Sequence, residues 1–187
     1  MSKKVSRSIK DADFIFENTL VKIVANHDCP EIDLLGLRIG PFEEGKEYQV
    51  RFWVARELEK TGLARIRGDE MLDAAKLYKV QWLESTQTAR KLSPLSESFY
   101  SKLRIYLYGL KKEAVSSPEK MKEYERAMNN ARDIIDCRLR KIISLASTSG
   151  QTSQFLENLS GEERLLYERL FELIGEWRQA ILETGEE

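Results

Sequence analysis

The chain has one histidine, two cysteines and four prolines among its 187 residues, and each scarcity removes a class of function. With His27 alone, no site built on two or more histidines exists. In the stretch ANHDCP that residue reads as part of a turn. Cys29 and Cys137 stand far apart and form no C-x-x-C pair, so neither a zinc site nor a disulfide framework is indicated. Two reduced thiols in an intracellular protein are expected instead. No apolar run approaches the ~18 residues of a membrane span, and the opening MSKKVSRSIKDADF leads into no hydrophobic region of signal-peptide type. The expected location is cytoplasmic, with no membrane partner. Charge of one sign is lacking too. Thirty basic against 31 acidic residues, a net charge of −1, is not the balance of a non-specific nucleic-acid binder. DNA contact by this chain alone is therefore expected to be weak at most.

Familiar chemical motifs are also missing. Gly36, Gly40 and Gly45 do not make G-x-G-x-x-G, and Gly45-Lys46 is followed by Glu47 where a phosphate loop needs Ser or Thr. Ser117-Pro118-Glu119-Lys120 formally matches S-x-x-K, but its companion motifs are absent and the same residues make a good helix start, with Ser as N-cap and Pro at the first helical position. The expectation is a protein with no catalytic residue, no cofactor and no metal site, hence not an enzyme.

What is present is enough apolar sequence for a core, 42% hydrophobic, arranged with two different periods. Up to Arg67 the chain reads as short strands and turns: residues 20–26, 31–39, 48–52 and 62–67 are strand-like, with a brief helix over 53–62 that Gly62 suits as a C-terminal cap. In the strand before it, Tyr48, Val50 and Phe52 share one side, and Gln49, Arg51 and Trp53 the other. From Gly68 the period becomes helical. Met71, Ala75, Tyr78 and Trp82 form one apolar stripe, and Phe99, Leu103, Tyr106 and Leu110 a second. A long helix after Ser117 carries Met121, Tyr124, Met128, Ala131, Ile135, Leu139, Ile142 and Ala146 on its expected inner face, with Ile134 and Ile143 at the edges. A last helix begins at the capping box Ser160-x-x-Glu163 and carries Leu166, Leu170, Ile174, Trp177 and Ile181.

This organisation predicts an α+β, mostly helical protein: a small β-rich domain over residues 1–67, then a helical bundle over 68–187. The stripes are wider than four helices need to close on one another, so part of that surface is expected to meet another chain. The candidate subunit interface is Tyr124, Ile134, Arg138, Ile143 and Trp177. A rival reading uses the basic run Arg138-Leu139-Arg140-Lys141 as a helix that contacts nucleic acid.

The stretch GPFEEGKEYQVRFWVARELEKTGLARIR, residues 40–67, resembles the GINS family of the replication fork, most closely its subunits of the two and three type. The matching residues are Gly40, Pro41, Phe42, Gly45, Val50, Trp53, Ala55 and Leu58, followed by Ala64, Arg65 and Ile66, and their expected role is structural. The resemblance implies a B-type small domain before an A-type helical domain, the order of two- and three-type subunits. The short length looks like the archaeal version, which pairs with a one/five-type partner as a two-plus-two tetramer. It further implies a non-catalytic scaffold that binds the MCM helicase and a RecJ- or Cdc45-like protein, and that also touches DNA polymerase and primase.

Overall fold

The computed structural model describes residues 2–34, 36–87, 91–96, 98–148 and 156–183, with side chains from residue 9 onward except Leu34. The chain divides into two compact units, Met1–Leu72 and Asp73–Glu187. The α+β, mostly helical class expected from the sequence is what is observed.

The first unit opens with a helix, α1 (Ser2–Glu17), where only strands and turns were expected. Val5, Ile9, Ala12 and Phe16 recur every three to four residues, a helical period that the surrounding polar residues mask. β1 (Leu20–Ala25) follows and is the centre of an antiparallel sheet, flanked by β4 (Glu47–Arg51) and β5 (Ala64–Ile66). The strand expected over 31–39 is instead a hairpin of β2 (Ile32–Leu34) and β3 (Leu37–Ile39). It turns where Gly36 takes φ +88° and donates its N–H to Asp33 Oδ1 at 2.8 Å. β4 hands over directly to α2 (Phe52–Lys60), whose Phe52, Val54, Ala55 and Leu58 are buried.

The expected alternation holds, since Val50 and Phe52 lie inside and Tyr48 is half-buried. Phe16 of α1 meets the Phe52 ring, with centroids 4.7 Å apart. Trp53 is only half-buried and Phe52 fills the small core, where the chain turns helical one residue earlier than the pattern implied.

The GPF turn is fixed by backbone pairing. Cys29 and Phe42 exchange N–H···O bonds of 2.9 and 2.8 Å, and the buried Phe42 ring stands edge-on to Tyr48 at 4.9 Å. Gly40 has φ +93° and precedes a cis Pro41. A Cβ on it would come 3.3 Å from the Phe42 ring, so a larger residue is disfavoured on two counts.

The second unit is helical: α3 (Ala74–Thr86), α4 (Phe99–Ala114), α5 (Pro118–Ala146) and α6 (Gly161–Leu182). Three of the helix starts are built from side chains. Asp73 Oδ1 accepts from Lys76 N at 2.8 Å, Ser117 Oγ from Lys120 N at 3.2 Å, and Ser160 and Glu163 close the reciprocal box read from the sequence. Ser117 is thereby a cap. The polar connection before α6 falls largely on 149–155, outside the described residues. α5 packs against α3, α4 and α6.

Candidate subunit interface

The phase of α5 differs from the expected one. Its buried positions are Ala127, Ala131, Ile134, Arg138, Lys141, Ile142, Leu145 and Ala146. Ala127, Ala131, Ile134, Arg138, Lys141 and Leu145 step alternately by four and three, the repeat of a helix face seated in a bundle. Three of the residues expected inside, Met121, Ile135 and Leu139, are therefore exposed, and Ile134, expected at the edge, is fully buried. A register anchored on apolar residues alone misses this, because two positions on the true inner face are charged.

Those charges form a closed cluster. Arg138 Nε and Nη2 donate to Glu163 Oε1 and Oε2 at 2.5 and 2.7 Å; Nη1 donates to Glu84 Oε1 and to Ser93 O, and Nη2 also to Asn158 O. All five guanidinium N–H groups are thus used. Lys141 Nζ donates to Glu84 Oε2 at 2.6 Å and to Glu84 O at 3.1 Å, Ser93 Oγ hydrogen-bonds Glu84, and Tyr100 OH donates to Glu163 Oε1 at 2.5 Å.

Two cations face two carboxylates, each of the four residues buried. Burial would raise the Glu84 pKa, but hydrogen bonds from Lys141 and Ser93 and the charge of Arg138 carry it below the ordinary value. For Arg138, burial pulls down and the Glu163 hydrogen bond and charge, with that of Glu84, more than reverse it. Tyr100 is pushed far up by burial first and by Glu163 second, so it stays a donor.

Three expectations are corrected here. Arg138 cannot contact a partner chain, and the basic run cannot present a phosphate-binding face, since Arg138 and Lys141 are engaged inside. Ile134 is likewise core. Tyr124 is half-buried, whereas Ile143 and Trp177 are exposed.

The exposed apolar residues of this unit are large. On α5, Ile135, Leu139 and Ile143, four apart, are 43%, 36% and 42% exposed. On α6, Phe171, Leu173, Trp177, Ile181 and Leu182 are exposed. Tyr78 and Trp82, on the apolar stripe read from the sequence, are exposed on α3, where Leu77 and Glu84 take the inner positions.

Elsewhere, a cleft of ≈ 520 Å³ lies between α3, α4 and α5 and mixes Glu119, Lys122, Glu123 and Arg126 over Leu77 and Tyr106. Among the described residues no group of three His, Cys, Asp or Glu could hold a metal ion, and no helix is long and apolar enough to cross a membrane.

The bundle thus encloses four charged residues and leaves Tyr78, Trp82, Phe171 and Trp177 exposed, apolar surface of the kind that marks interfaces. The family model described as the GINS complex protein helical bundle domain matches residues 71–182, and the chain belongs to the GINS family. The model of the PSF2 N-terminal domain matches residues 8–67. Among curated proteins, the human DNA replication complex GINS protein PSF2 is 28% identical over 93 residues, covering 50% of this chain and 49% of the human protein's length.

Proposed function

We propose that this chain is a non-catalytic scaffold subunit of a replication complex, joining a one/five-type GINS subunit through its helical unit. The observation that carries the reading is the exposure of Ile135, Leu139, Ile143, Leu173, Trp177 and Ile181 on a unit whose family model is that of a complex-forming bundle. Stable interfaces centre on such aliphatic and aromatic residues. The human relative's name, a DNA replication complex protein, supports the setting.

In this reading the assembly is a two-plus-two tetramer of archaeal type that supports the MCM helicase together with a RecJ- or Cdc45-like protein, with primase or DNA polymerase as further contacts. The GPF residues keep their structural role, and no residue of the chain performs chemistry. Co-expression with a one/five-type subunit, followed by mass measurement in light scattering, is the test. A hetero-oligomer is expected, and Trp177→Glu should reduce its mass while circular dichroism stays near wild type. A chain that remains alone beside such partners would end the proposal.

A further inference from the structure

The small unit carries a charge pattern that assembly through the helical unit leaves unused. Lys3, Lys4, Arg7 and Lys10 all precede the first acidic residue, Asp11. α1 is helical through that stretch, and its register sorts the residues onto two opposite lines. Positions 9, 12 and 16 form the line seated on the unit: Ile9 and Ala12 are half-buried, and the buried Phe16 ring meets Phe52. At 3.6 residues per turn, positions 3, 7, 10 and 14 fall within about 60° of one another on the opposite side. That outer line reads Lys3, Arg7, Lys10 and Phe14, roughly 17 Å from end to end. Asp11 borders it on one side and Asp13 and Glu17 on the other, where Glu17 faces Arg56 at 3.9 Å.

The line continues past the helix. Asn18 Nδ2 donates to Phe14 O at 2.9 Å, and Asn18 Oδ1 accepts from Arg51 Nη1 at 3.0 Å, which brings a guanidinium from the end of β4 to the C-terminal end of α1. Lys10 and Arg51 are exposed, and neither has an ion-pair partner among the described residues. Phe14, between them along the line, is 68% exposed. Cations ranged on both sides of an exposed ring suit a single nucleic-acid strand, because the cations follow its phosphates and the ring takes the face of a base. A membrane surface fits less well. An interfacial helix needs a free apolar face, and that of α1 is occupied where Phe16 meets Phe52. The net charge of −1 gives the whole chain no general attraction for a polyanion, so binding depends on this one line.

We propose that the outer face of α1, extended by Arg51, is a contact for the phosphate backbone of a single DNA strand, with Phe14 stacking on one base. The choice of DNA over RNA rests on the replication reading above, and the face itself does not. Lys3, Arg7, Lys10 and Arg51 would neutralise about four phosphates, so log K should fall against log salt with a slope of about −2.8. Between about 50 and 200 mM salt the affinity should drop roughly 50-fold. The contact is therefore weak at physiological salt, in keeping with the near-zero net charge.

The test is fluorescence anisotropy of the full chain with a labelled oligothymidylate of about 12 nucleotides at rising salt. The triple variant Lys3→Gln, Arg7→Gln, Lys10→Gln should weaken binding about tenfold or more at about 50 mM salt and flatten the slope by about 2. Its circular dichroism should match wild type. Lys111→Gln, Lys122→Gln and Arg126→Gln together make the same charge change on exposed residues of α4 and α5, and should leave affinity within about twofold. Phe14→Ala should weaken the single strand about fivefold without changing the slope, since it removes a stacking surface and no charge. Wild-type chain that does not bind at about 50 mM salt, equal losses in the two triple variants, or Phe14→Ala binding like wild type would overturn the proposal. Phosphatidylserine vesicles bound in preference to the oligonucleotide would do the same. An oligouridylate bound more tightly than the oligothymidylate would overturn the choice of DNA and count against the replication reading, while upholding the strand-binding face.

Discussion

The two units bury different things. In Met1–Leu72 every buried side chain among the described residues is apolar, whereas the second unit also encloses Glu84, Ser93, Ser101, Arg138, Lys141 and Glu163. The small unit closes its core around a sheet, α2 and three aromatic rings, Phe16, Phe42 and Phe52, and leaves Phe14, Ile15 and Leu20 exposed. The helical unit encloses an ion cluster and leaves Tyr78, Trp82, Phe171 and Trp177 outside.

A buried ion cluster is weak evidence of extra stability, because desolvating four charges costs about what their attraction returns. What it supplies is geometry. It joins α3, α4, α5 and the start of α6 in one arrangement, and that arrangement presents a particular apolar surface. The small unit buries only apolar side chains, while the helical unit encloses charged groups as well.

The comparison breaks most visibly at two adjacent residues. Ile134→Glu would place an unpaired carboxylate at a fully buried position, costing roughly 4 kcal/mol or more, a large part of what a domain possesses. Helical circular dichroism should collapse. Ile135→Glu, one residue on and 43% exposed, should leave the spectrum intact and impair only assembly. Equal unfolding by both would mean that α5 has the opposite phase.

A smaller effect follows from Glu84. Its folded pKa lies below the ordinary 4.5, so it contributes stability that is present above that value and is lost as pH falls through the lowered one. The Arg138 pKa is raised above its already high ordinary value, so its contribution is present throughout the acidic and neutral range and adds no slope there. The thermal midpoint of the wild-type chain should therefore drop more steeply than that of Glu84→Gln between about pH 5 and pH 3. Parallel curves for the two would show that the cluster does not titrate as described.

Much of the small unit is legible in the sequence because its signals are local. Gly40, Val50 and Leu58 act through a turn and through periodicity within a few residues of themselves, and the period of two in 48–52 translates directly into burial. The hairpin at Gly36 escapes such a reading because a continuous apolar run hides a turn when only one glycine marks it. α1 escapes it because its stripe is thin.

In the helical unit the existence of α4, α5 and α6 and their caps at Ser117 and Ser160 are readable, but the phase of α3 and α5 is not. Phase is inferred from which residues prefer to be buried. Glu84, Arg138, Lys141 and Glu163 satisfy one another across elements that lie up to 79 positions apart in sequence, a pairing that no single window contains. The available signal is the heptad-like step through Ala127, Ala131, Ile134, Arg138, Lys141 and Leu145, which holds only if charge is allowed inside. Trp177 and Ile143 are expected as interface residues on the same stripes, and the structure places both at the surface.

The central claim, that the helical unit exists to be covered, is tested most directly by amide hydrogen exchange on the chain alone and in complex with a one/five-type subunit. Binding should slow exchange in residues 171–182 of α6 and along α5 near Ile135, Leu139 and Ile143, while the β1, β4 and β5 amides of the small unit keep their rates. Protection gained only within residues 1–72, with α5 and α6 unchanged, would contradict the account.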